Sequence, residues 1–165
     1  MEISKVGAAS IKLKGKNSSL IIDPTGKTEA QIILATQPLD SLSLDKVEGA
    51  RLIISGPGEY EVGGISITGK EVEGGIIYQI LDTSKIIFTP SSAIKSVPDD
   101  EEFDCLLVKV VGEIKDDDLG PINAKCIALY GDLNLATVKS ENQEKINKVN
   151  IRKTVEIQGK TFLLE

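Results

Sequence analysis

Histidine is missing altogether from these 165 residues, tryptophan is missing too, and cysteine occurs only twice. Without histidine the chain lacks the commonest general base, the commonest zinc ligand and the one side chain that ordinarily titrates near neutral pH. A Cys–His nucleophile is excluded within one chain for the same reason. Aromatic residues amount to 4%. Stacking platforms for bases or sugars are therefore not expected, and the core must be built from Ile, Leu and Val. No long basic stripe offsets a formal charge of −6, so a phosphate backbone is repelled overall and nucleic acid is not an expected partner. No apolar stretch approaches membrane-spanning length, and the opening MEISKVGAAS has no apolar signal core. No membrane partner is expected, and the expected location is the cytoplasm.

What is present is ordinary for a globular protein: 41% hydrophobic and 27% charged residues. The length fits a single domain spanning 1–165 with a substantial core that needs no disulfide staples. Cys105 and Cys126 lie in the apolar runs DCLLVKV and AKCIALY, where reduced thiols act as small buried hydrophobes. A disulfide between neighbouring strands is the open alternative.

Short β-branched runs separated by Gly, Pro, Asn and Asp dominate the chain. EISKV, SIKLKG and SLIID predict an opening antiparallel meander, with Ile11 and Leu13 inward and Lys12 and Lys14 outward. QIILAT predicts a strand buried on both faces. PLDSLSLDKVEGA predicts a short helix at most, with Asp40 and Ser41 as turn or cap residues. RLIIS, EYEV and GISITG predict three further strands, and GIIYQIL with KIIFT a hairpin across DTS. Asp99–Asp104 is expected to be a solvated connection into the buried strand CLLVKVV, and KCIALYG another strand. SENQEKINKVN predicts a helix, with Ser140 as N-cap and Ile146 and Val149 three apart. RKTVEIQ and TFLLE predict a closing hairpin at Gly159-Lys160. About a dozen strands with little helix imply two mainly antiparallel sheets packed face to face, an α+β fold.

Several segments together resemble the metallo-β-lactamase-fold hydrolases, in particular the branch related to L-ascorbate-6-phosphate lactonase. The opening through Asp23-Pro24 is similar to the start of that family, in which a Gly-His-(Ser/Ala) stretch follows the first strand; here it reads Gly7, Ala8, Ala9. The most specific similarity is LIISGPGEYEVGGISITG, Leu52 to Gly69; DCLLVKVVG and NAKCIALYG resemble the family's later buried strands. The resemblance implies an αββα sandwich, here with reduced outer helices, and a metal site between the sheets' upper edges. The family signature His-x-His-x-Asp-His falls on Thr36, Pro38, Asp40 and Ser41, of which only the aspartate survives. A later histidine would fall within GKEVEG (Gly69–Gly74). The metal-bridging aspartate would fall near Phe88–Ser91, and a final histidine at about Gly131. A catalytic zinc needs about three protein ligands and an open position. The chain therefore reads as a degenerate member of that family, with no metal and no cofactor expected. Asp23 and Asp40 are its vestigial-site candidates, and no residue is assigned a catalytic role.

Simpler roles compete for each candidate. Asp23 fits a strand terminator that accepts N–H bonds from the next turn, and Asp40 fits a turn residue. GPGEYEVGG lacks a following helix to hold an anion, so a turn with Gly56 or Gly58 at positive φ and then an edge strand is expected. Asp116, Asp117 and Asp118 are consecutive and face different ways. A Ser–Lys pair of Ser91 or Ser92 with Lys95 is formally open. The leading expectation is a catalytically inactive binding or structural module. Its ligand is left open, and a homo-oligomer is expected because trimmed helices would expose an apolar sheet face. The alternative is a hydrolase of the same fold with a carboxylate-only metal site drawn from Asp23, Asp40, Glu59, Glu61, Asp82 and Asp132.

Overall fold

The computed structural model describes residues 1–138, 141–152 and 154–165. Its strands, in chain order, are β1 (Glu2–Lys5), β2 (Ile11–Lys14), β3 (Ser19–Ile22), β4 (Thr28–Glu29), β5 (Ile32–Leu34), β6 (Val47–Glu48) and β7 (Leu52–Ile54). Next come β8 (Gly58–Val62), β9 (Ile65–Val72), β10 (Gly75–Leu81), β11 (Lys85–Pro90), β12 (Cys105–Val110) and β13 (Ile114–Lys115). The last are β14 (Cys126–Gly131), β15 (Ala136–Thr137), β16 (Gln143–Ile146), β17 (Lys148–Asn150) and β18 (Lys160–Leu164). A six-stranded sheet runs β17-β1-β2-β3-β5-β7 and an eight-stranded sheet runs β16-β18-β14-β12-β11-β10-β9-β8. Small two-stranded ladders β13-β15 and β4-β6 lie beside them.

The fold is α+β, with two packed sheets and little helix. Antiparallel pairing, expected to predominate, holds in one half of each sheet, β17-β1-β2-β3 and β8 to β11. The other halves, β3-β5-β7 and β11-β12-β14-β18-β16, are parallel. Parallel neighbours need long crossovers rather than tight turns. Among the described residues those crossovers contain short 3₁₀ segments, the longest Ser91–Ser96, and single helical turns, α1 (Asp116–Leu119) and α2 (Thr154–Ile157).

Alternation within the strands builds the core. Ile11, Leu13, Leu20, Ile22 and Leu34 of one sheet meet Ile67, Tyr78, Phe88, Leu107 and Phe162 of the other, all in one buried cluster. Both thiols are free and sit in this layer. The hydrogen bond that its thiol makes to Cys126, and then burial, hold the Cys105 thiol well above its ordinary pKa. The other face of the eight-stranded sheet is also covered. Ala93, Ile94, Val97, Leu119 and Ile122 from the crossovers pack on Ile87, Leu106, Val108 and Leu129. That face of the eight-stranded sheet thus has intramolecular cover. Among the described residues, no helix is long and apolar enough to cross a membrane.

The C-terminal quarter corrects the sequence reading. The stretch expected to be helical holds two edge strands. β16 pairs in parallel with β18 in one sheet, and β17 pairs antiparallel with β1 in the other. Ile146 and Val149 are three apart because the chain changes sheets at Asn147, not because they share a helix face; the Ser140 cap lies outside the described residues. Edge strands carry solvent-facing residues along much of their length, which makes their composition read as helix. RKTVEIQ contributes α2 instead of a strand. Gly159, at φ 70°, ends that turn, and β18 runs parallel between β14 and β16 rather than forming a hairpin.

Asp99–Asp104 is largely solvated, but Asp104 is tied in. It accepts from the Lys85 backbone N–H at 2.7 Å and from Lys125 Nζ at 2.7 Å. Partial burial pushes its carboxyl pKa up, yet the Lys125 and Lys85 bonds outweigh this and hold it below the usual value. A carboxyl with a depressed folded pKa stabilises above its unfolded pKa of about 4, and that contribution disappears as pH falls through the folded value. Asp104→Asn is expected to lower stability by about 1 kcal/mol near neutral pH. Urea titrations of both proteins should show the gap closing as the pH is taken well below 4.

Candidate functional site

The parallel halves of both sheets end at one edge, and the C-terminal ends of parallel strands are where open sheets form ligand crevices. β3 ends beside Asp23, β5 leads into Ala35 and Thr36, and β12 carries Lys109 next to its end. Asp23 is fully buried and is the one non-glycine residue with positive φ (47°) among those described. Its Oδ1 accepts from the Thr36 backbone N–H at 2.7 Å, and its Oδ2 accepts from the Thr36 hydroxyl. Its N–H bonds come from the end of β5, not from the turn that follows it in sequence. Ser10 completes the support by donating to the Asp23 carbonyl oxygen at 2.6 Å.

Lys109 enters this cluster from the opposite sheet. Alternation along β12 sends Cys105, Leu107 and Lys109 to the inner face, so the lysine side chain runs between the sheets. It is 6% exposed, and its Nζ lies 2.6 Å from Asp23 Oδ2 and 3.0 Å from the Thr36 hydroxyl. An ammonium carries three donors. Two are used here, and the third has no protein acceptor among the described residues. Tyr130 lies opposite Lys109 in the ladder, and its buried hydroxyl has no partner among the described residues. Burial, and then the Asp23 charge, raise the Tyr130 pKa well above its ordinary value, so the phenol stays neutral.

Above Lys109 opens a cleft of about 750 Å³ with Thr36 also on its wall. The remaining surface is mainly apolar, from Pro38, Leu39, Ile76, Tyr78, Pro90 and Val111. Leu39 and Val111 are respectively 42% and 52% exposed. Tyr78 is held by its hydroxyl, which donates to Gly56 O at 3.2 Å, and Tyr60 donates to Pro57 O at 3.0 Å. Burial first, then the nearby Tyr60 and Asp23, push the Tyr78 pKa up to about 12. The GPGEYEV stretch thus serves as scaffold: Gly58 has φ 142° and β8 is an edge strand, as expected.

Of the four signature positions, Thr36 and Pro38 line the cleft. Asp40 and Ser41 lie exposed on the 3₁₀ turn Leu39–Ser41, where the Ser41 hydroxyl donates to Pro38 O at 2.6 Å. Gly74 and Pro90, from the later segments, also reach the cleft. The other carboxylates are scattered. Glu59 and Glu61 are exposed on β8, Asp82 accepts from the Lys16 N–H, and Asp132 accepts from the Asn134 N–H. Asp118 accepts from the Lys115 N–H in α1. Ser91 Oγ accepts from the N–H groups of Val111 and Gly112, and Ser92 donates to Gly74 O. Both serines act as structural ties.

A zinc ion does not fit this donor set. Among the described residues, no group of three or more His, Cys, Asp or Glu side chains is gathered closely enough to hold a metal ion. The one carboxylate at the site has both oxygens engaged, and an ammonium occupies its open side. Gly131, at φ 98°, has no room for a side chain, because a Cβ there would sit 2.6 Å from Val110 O. Sequence reading passed over Lys109. The signal was a lone charge inside the apolar run CLLVKVV, at a position whose alternation points inward.

No family model matches the sequence, and no curated protein matches it. Among solved structures the chain is similar to a candidate Zn-dependent hydrolase of the metallo-beta-lactamase superfamily from Thermotoga maritima. The TM-score is 0.71 at 18% identity, over 99% of this chain and 98% of that one. Likeness at this identity establishes the fold, a metallo-β-lactamase-like sandwich, over essentially the whole chain.

Proposed function

We propose that this chain is a non-catalytic member of the metallo-β-lactamase-fold proteins that uses its inter-sheet cleft for binding. The observation that carries this reading is the Lys109 ammonium, held 2.6 Å from the buried Asp23 carboxylate. It lies at the edge where the resemblance puts the metal site. A buried carboxylate requires a cation or a proton. Lysine supplies that cation from within the chain, so the framework is neutralised without an exogenous ion. An ammonium offers no open coordination position and lowers no water pKa, which are the two services a catalytic zinc provides. The carboxylate-only hydrolase has less support, because of its six carboxylates only Asp23 belongs to the cleft's polar cluster and that one is already paired.

The test is metal analysis of protein purified without chelators, combined with phosphodiesterase and lactonase assays in the presence of added Zn²⁺, Mn²⁺ or Mg²⁺. The expected result is metal far below one ion per chain and turnover at background with each ion. Stoichiometric metal together with turnover above background would sink the reading.

A further inference from the structure

The geometry points to a ligand class for the cleft: an uncharged molecule with an apolar body and a carbonyl-type oxygen that accepts the third N–H of Lys109. This rests on the non-catalytic reading above. Lys109 is the one charged residue on the described wall, and its charge is already balanced by Asp23. A carboxylate or phosphate bound there would bring an uncompensated negative charge into an apolar cleft, next to Asp23, and would lose its hydration. A pure hydrocarbon would leave a buried ammonium N–H without an acceptor. Lys109 is 6% exposed, and among the described residues its third N–H has no protein acceptor, so an incoming neutral oxygen gains a charge-assisted hydrogen bond. Ketone, ester and amide oxygens meet this requirement. The apolar remainder would lie against Ile76, Tyr78, Pro38 and the half-exposed Leu39 and Val111, giving those exposed side chains a role.

The binding test uses fluorescent naphthalenes that differ in the polar group. Prodan is a neutral naphthyl ketone, dimethylaminonaphthalene is its ketone-free parent, and anilinonaphthalene sulfonate is an anion of similar apolar size. Prodan is expected to bind the wild-type protein at least about tenfold more tightly than either of the others. In Asp23→Asn/Lys109→Met, which removes both charges together, prodan affinity should fall about tenfold to that of the parent, whose own affinity stays level. Ile76→Trp fills the cleft while leaving the ion pair untouched and should remove binding of prodan.

Equal affinity for prodan and its parent overturns the acceptor requirement, and tighter binding of the sulfonate overturns the neutral class. Prodan binding that survives Ile76→Trp overturns the location. These comparisons do not depend on metal or turnover. A catalytic zinc would therefore refute the non-catalytic reading separately, and a failed ketone preference would leave that reading standing.

Discussion

Lys109→Met is expected to destabilise the protein by about 3–5 kcal/mol, the range for stranding one member of a buried ion pair. The methionine replaces the aliphatic stem well, so the loss is not a packing defect. It arises because Asp23, with no exposure of its own, keeps two bonds from Thr36 but loses its counter-charge. Adding Asp23→Asn should recover most of the loss. Asn tolerates the positive φ of 47° at this position, and its side-chain oxygen still accepts from the Thr36 N–H. Urea unfolding with matched slopes measures both variants. With a slope of about 1–3 kcal/mol per molar, the single variant should lose more than about 1 M in midpoint. A loss under about 1 kcal/mol, or a double variant no better than the single, would show that the pair is not a buried, mutually dependent unit.

Gly74→Ala is expected to cost about 3 kcal/mol or more, with Gly131→Ala close behind. At Gly74, φ is 91° and a Cβ would sit 2.1 Å from the Ser92 carbonyl oxygen, a backbone atom fixed by the 3₁₀ segment that starts at Ser91. At Gly131, φ is 98° and the clash is with the Val110 carbonyl oxygen at 2.6 Å. Neither strain can be relieved by rotating a side chain, so the backbone of β12 or of the cleft wall must move. Thermal and urea unfolding measure the loss, and prodan binding reports any distortion of the wall. Gly159→Ala is the informative control. Its φ of 70° carries the same conformational penalty, but no atom lies within 4 Å of its Cβ, so its loss should be smaller, about 1 kcal/mol. Equal losses at all three positions would mean that conformation, and not the close approach, sets the effect. For the site this matters directly: two positions that the resemblance assigns to histidine-bearing segments are closed to any side chain.

Much of the framework was legible because strand signals are local. QIILAT reads as a strand buried on both faces, and Ile32, Ile33 and Leu34 are all fully buried in β5. GIIYQIL and KIIFT read as a hairpin, and β10 pairs antiparallel with β11. The terminal region failed where locality failed. β16 and β17 belong to different sheets, and their polar residues face solvent at two separate edges. No window of sequence distinguishes that arrangement from one amphipathic helix.

The candidate site follows the same division. Asp23, Thr36 and Pro38 stood out by their similarity to a known pattern, whereas Lys109 lies 86 residues from Asp23 and matched nothing. By composition alone, the sequence determined that no histidine could serve as base or ligand, and its alternation determined which residues of each strand face inward. Only the tertiary structure decided that one inward lysine meets one inward aspartate across two sheets. Charge compensation in a buried layer depends on which strand ends lie within hydrogen-bonding distance, and that follows from sheet order and packing rather than from any neighbourhood along the chain.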